Sequence, residues 1–98
     1  MNMQQIMAQA QRMQKDIMNK KGVIDSMDFQ GKSDWVEINF KGNRQVVSVE
    51  ITNDDAFNIE NKDILNDMIM LAIKDGLSKI DKETEKQLGS YSQMGGLF

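Results

Sequence analysis

Histidine, cysteine and proline are all missing from this 98-residue chain, and aromatic residues make up only 6% of it. Each absence removes a kind of chemistry. Without histidine there is no imidazole base and no Ser-His-Asp relay. Without cysteine there is no thiolate nucleophile, no disulfide framework and no thiolate zinc or iron–sulfur site. Carboxylates, lysines and hydroxyls remain, but no paired-residue motif arranges them for glycosidase-like or Ser-Lys chemistry. The residues therefore name no catalytic group, no metal ligand and no cofactor, and the chain is expected not to be an enzyme. Long apolar runs are also missing. The longest, Met68-Ile69-Met70-Leu71-Ala72-Ile73, falls far short of the roughly 18 residues that span a bilayer. The opening MNMQQIMAQAQRM lacks the apolar core of a secretory signal. A soluble cytoplasmic protein with no membrane partner and no small-molecule substrate is expected.

Charge is present but segregated. The chain has 12 Lys+Arg against 15 Asp+Glu, a net of −3. Residues 1–24 hold Arg12, Lys15, Lys20 and Lys21 against Asp16 alone. A basic amino-terminal segment on an acidic body leaves room for a polyanion partner that the total conceals.

Hydrophobic spacing divides the chain into five elements. Met3, Ile6, Ala10, Met13, Ile17 and Ile24 recur at intervals of three and four, which predicts a helix over residues 2–21, closed at Gly22. Its apolar seam is narrow and glutamine-flanked, so a partner helix is implied. The period then changes to two. Val36, Ile38 and Phe40, then Val47, Val49 and Ile51, alternate with polar residues and predict an antiparallel hairpin with one buried face. A two-residue type II′ turn at Gly42-Asn43 sets Ile38 opposite Val47 and Val36 opposite Val49. Met27 and Phe29 point to a third strand before Gly31. The polar junction Asn53–Asn58 fails the EF-hand spacing and reads as capping and turn residues, with room for one helical turn. A second long helix is expected from near Asn61 to Gln87. One domain spanning 1–88 and a flexible tail over 89–98 complete the plan, an α+β fold with a three-stranded antiparallel sheet between two long helices.

The first half of the second helix is apolar nearly all round, more than one sheet face can cover. A homodimer follows, with Leu65, Met68, Ile69, Ala72, Ile73 and Gly76 as the expected interface. Gly76 would admit a close neighbouring helix.

These residues resemble the YbaB/EbfC family of nucleoid-associated proteins. Gln9-Ala10-Gln11-Arg12-Met13-Gln14-Lys15 is similar to the family's opening, Asp63-Ile64-Leu65-Asn66-Asp67-Met68-Ile69 through Ala72-Ile73-Lys74-Asp75-Gly76-Leu77-Ser78-Lys79 to its long helix, and Gly95-Gly96-Leu97-Phe98 to its close. Val47-Ser48-Val49-Glu50-Ile51 falls in order between them. Gly31-Lys32-Ser33-Asp34-Trp35 stands where the family usually has a glycine-rich stretch. The resemblance implies an intertwined, tweezer-like cytoplasmic homodimer in the nucleoid, binding double-stranded DNA with little sequence preference and influencing chromosome organisation or gene expression. Charge placement supplies the candidate phosphate contacts Arg12, Lys15, Lys20 and Lys21, with Lys79, Lys82 and Lys86 on the second helix. Lys32, Lys41 and Arg44 form a secondary set. With so few basic residues per chain, affinity should fall steeply with salt. The alternative from another class is a scaffold dimer in which the Met-rich first helix or the Leu97-Phe98 tail binds a protein.

Overall fold

A computed structural model describes residues 2–92. Helix α1 (Met3–Ser26) is followed by strands β1 (Asp28–Lys32), β2 (Val36–Lys41) and β3 (Val46–Ile51). Two short 3-10 helices, Asp54–Phe57 and Ile59–Asn61, lead into helix α2 (Lys62–Ser92). The molecule is 70 Å long and at most 20 Å across. The sheet and the first half of α2 form a body. The second half of α2 and α1 form an antiparallel two-helix arm.

Asparagine starts three of these helical segments. Asn2, Asn53 and Asn58 are extended at the cap, and each side-chain oxygen accepts the N–H two residues on, which satisfies donors that a helix start leaves open. In the junction this capping role is what Asn53 and Asn58 perform.

Helix α1 does not stop at Gly22. It runs on to Ser26 because Ile24, only 2% exposed, packs with Ile17 and Leu88 in the arm core. Burying one isoleucine contributes about 2 kcal/mol, more than the roughly 1 kcal/mol that an interior glycine costs.

The sheet has the order β1-β2-β3, antiparallel throughout. Its inner face presents Val36, Ile38 and Phe40, all buried, to Ala72 and Ile80 of α2. The hairpin register differs from expectation by two residues: Ile38 pairs with Val49 and Val36 with Ile51. A shift of two preserves the faces, so the apolar set still lies together. Its cause is the turn. The connection is a three-residue loop, Gly42-Asn43-Arg44, closed by Arg44 N–H to the Lys41 carbonyl and Lys41 N–H to the Gln45 carbonyl, both 2.9 Å. Arg44, not Gly42, takes the left-handed backbone at φ 73°, and a bulge beside Phe40 absorbs the extra residue. Gly42 serves another end, for a Cβ there would lie 1.8 Å from the Ile24 carbonyl oxygen where α1 leaves the arm.

Beyond Gln87, α2 continues to Ser92 and seats Leu88, 1% exposed, and Tyr91 against α1. Of the stretch 89–98 expected to be a tail, 89–92 are thus helical. Residues 93–98, with Leu97-Phe98, lie outside the described residues.

Candidate nucleic-acid interface

The basic residues of α1 are distributed around the arm rather than along one stripe. At 100° per residue Arg12 and Lys15 lie about 60° apart on the side away from the apolar seam, and Lys21 lies roughly opposite Arg12. Arg12, Lys15 and Lys21 are exposed and form no ion pair among the described residues. Lys20 faces the seam. Its ammonium sits 3.4 Å from Asp16 and 5.2 Å from the centre of the Tyr91 ring, so it joins the two helices of the arm.

That junction is a three-residue clamp. The Tyr91 hydroxyl donates to Asp16 and Lys20 flanks the same carboxylate. The Tyr91 hydrogen bond, and Lys20 after it, hold the Asp16 carboxyl below the usual carboxylate range. Asp16 in turn raises the Lys20 ammonium. Because the folded value of Asp16 is lowered, its contribution is complete above the ordinary aspartate range and is lost as pH falls through the lowered value, below about pH 4. Lys20 behaves oppositely, losing its contribution only above about pH 10. Tyr91→Phe is therefore expected to move the Asp16 titration upward towards the ordinary value. It should also lower arm stability at pH 7 more than at pH 3, measured by carboxylate NMR and by urea unfolding at both pH values. An unmoved Asp16 would remove the clamp from the account.

On α2, Lys79 is spent. It lies 3.0 Å from Asp75 and donates to the Gln30 carbonyl at 2.7 Å, while Asp75 accepts the Lys32 backbone N–H at 3.0 Å. The Lys32 N–H, then Lys79, hold the Asp75 carboxyl below its usual range. Together the two side chains satisfy backbone groups on the outer edge of β1, closing that edge to another strand. Lys82 and Lys86 are exposed on the arm, without ion pairs among the described residues. In the secondary set, Lys41 pairs with Asp28 at 2.6 Å and Arg44 with Asp81. Arg44 and Lys21 also line a cleft of about 360 Å³ between arm and body.

Of the residues expected to meet a second chain, Ala72 and Gly76 are buried against the chain's own sheet. A Cβ on Gly76 would lie 2.3 Å from the Phe40 ring, so the glycine admits the sheet rather than a neighbouring helix. Leu65, Met68 and Ile69 are half-buried against the same core, while Ile73 stays exposed. Beside them lies an apolar surface that the body leaves open. Helix α2 lies over β1 and β2, and Val46, Val47 and Val49 of β3 are each more than half exposed, as are Met70, Leu71, Phe57 and Ile59. Val47 and Val49, expected from the sequence to share the buried face of the hairpin, are exposed because α2 covers β1 and β2 and leaves β3 open; Phe57 and Ile59, at the end of one 3-10 helix and the start of the next, carried no such expectation.

The profile of the YbaB/EbfC DNA-binding family matches residues 1–96. The chain belongs to this family. It is 40% identical over 95 residues to a protein of Lactococcus lactis subsp. cremoris named as a nucleoid-associated protein, covering 95% of each chain. A Streptococcus pneumoniae protein of the same name is 37% identical over 94 residues, 94% of each chain. One from Ligilactobacillus salivarius is 33% identical over 95 residues, 95% of this chain and 90% of that one. The fold is shared with an uncharacterized Helicobacter pylori protein of known crystal structure, with a TM-score of 0.75 at 20% identity over 97% of this chain and 99% of that one. Within the YbaB/EbfC fold, then, this chain presents a slender arm with unpaired cations and a body with an uncovered apolar side.

Proposed function

We propose that this protein is a nucleoid-associated protein that binds double-stranded DNA as a homodimer, through phosphate contacts from its two arms. The observation that carries the reading is the arm itself. In a chain of net charge −3, α1 sets out Arg12, Lys15 and Lys21 without ion-pair partners among the described residues, and a dimer presents them twice. Lys82 and Lys86 on α2 are the supporting contacts. Lys20 and Lys79 contribute charge but are held by Asp16 and Asp75. Long cationic side chains distributed around a helical arm neutralise phosphates without reading base edges, so little sequence preference is expected. No described helix is long and apolar enough to cross a membrane, and the working location is the nucleoid.

The dimer follows from the open side of the body. Clamped by Asp75 and Lys79, the β1 edge cannot accept a strand, whereas β3 exposes both its edge and its apolar residues. Soluble monomers rarely leave so many large apolar side chains in water, and a two-fold axis would let the exposed face of β3 cover itself. Phe57 and Ile59 are further exposed apolar side chains on the segment between β3 and α2.

About six phosphate contacts from two copies of Arg12, Lys15 and Lys21 predict binding that is clear at about 50 mM salt and some thousandfold weaker at about 200 mM. A mobility shift with duplex DNA across that range checks it. No shift at the low end would defeat the DNA reading and favour a scaffold that binds protein through its apolar surface.

A further inference from the structure

The cations of the arm point away from each other. On α1, Arg12 and Lys15 lie about 140° and 160° round the helix from Ile17, which is buried against α2. On α2, Lys82 and Lys86 lie about 120° and 160° round from Leu88, which is buried against α1. All four are exposed. Because Ile17, Ile24 and Leu88 fill the space between the helices, Arg12 and Lys15 stand on one outer face of the arm and Lys82 and Lys86 on the opposite one.

We propose that the two faces hold two separate DNA segments, so that the protein bridges duplexes. The inference rests on the DNA reading and adds a second binding face to it. Thickness and stiffness carry it. Two packed helices, with axes about 8–10 Å apart, make an arm about 20 Å thick, and duplex DNA has a persistence length of about 150 base pairs. A duplex lying on Arg12 and Lys15 cannot turn round the arm to reach Lys82 and Lys86, which are left to another segment. A two-fold dimer keeps this arrangement, since closing two arms on one duplex turns one face of each inward and the other outward. Neighbouring acids set the order in which the faces fill. Between Met3 and Ile24, α1 carries one acid, Asp16, and the clamp holds it. On α2, Asp81 is balanced by Arg44, but Glu83 and Glu85 flank the lysines, each about 60° round the helix from the nearer one. The α1 face therefore binds first. Bridging needs more protein than binding does and disappears at lower salt.

The test sets two readouts side by side on the full chain. One duplex is fixed to beads and capture of a second, fluorescent duplex of unrelated sequence is measured at about 50 mM salt; the mobility shift of a single duplex is measured in the same buffer. The native protein is expected to capture the second duplex. Lys82→Ala with Lys86→Ala should lower capture roughly tenfold or more while weakening the single-duplex shift about twofold, the share of the weaker face. Glu83→Gln with Glu85→Gln should act in the other direction and raise capture severalfold, a gain that misfolding cannot produce. A native shift without capture would overturn the bridge and leave the DNA reading standing. Capture that survives the loss of Lys82 and Lys86 would overturn it too, assigning one duplex to the α1 face of each arm, and so would capture unmoved by the glutamine pair. No shift at all would defeat the DNA reading and the bridge with it.

Discussion

Gly31→Ala is expected to cost the folded state roughly 3–5 kcal/mol, enough to leave a small domain largely unfolded. A Cβ at this position would lie 2.0 Å from the Ala72 carbonyl oxygen and 2.7 Å from the Gly76 nitrogen. Both are backbone atoms of α2, so relief requires lifting the helix from the sheet. Lifting it would also pull Asp75 from the Lys32 N–H and Lys79 from the Gln30 carbonyl. Gly76→Ala should cost less, because the atom it meets belongs to the Phe40 ring and alanine recovers about 1 kcal/mol of helix propensity. Urea midpoints of the three proteins check the order. An unchanged midpoint for Gly31→Ala would mean that α2 and β1 are not in such close contact.

Val49→Asp is expected to break the dimer while leaving the chain folded. Val49 is 56% exposed and lies on the inner face beside Ile38. In a single chain an aspartate there reaches water. In a two-fold interface the charge is buried twice without a partner, and the dissociation constant should rise a hundredfold or more. Light scattering with circular dichroism checks both halves of the statement. A folded Val49→Asp dimer of unchanged stability would move the interface away from β3.

Side-chain repeat alone was enough for the element order and for the buried face of β2, but not for β3, whose Val47 and Val49 share that face and stay more than half exposed because α2 lies over β1 and β2. Helix ends and strand register were legible only in part, for they depend on distant contacts. Ile24 carries α1 past Gly22 because Leu88, 64 positions later, buries it. The β2–β3 register hangs on Arg44 accepting a left-handed backbone, which nothing adjacent to Gly42-Asn43 announces. The candidate site was legible as a list of cations but not as a surface. Asp16 and Lys20, like Asp75 and Lys79, stand four apart, a spacing that marks them as partners on a helix. Their further ligands, Tyr91 and the Gln30 carbonyl, come from the fold.

The most direct test of the central claim is the salt dependence of DNA affinity for the native protein and for Arg12→Ala with Lys15→Ala. Two lost contacts in each of two arms should flatten the slope of log K against log salt by about 3 to 4, with affinity at about 50 mM salt falling a hundredfold or more and the loss similar for unrelated duplex sequences. A double variant that binds with the native slope would contradict the account, because the arms of α1 would then not be where this protein meets the phosphates.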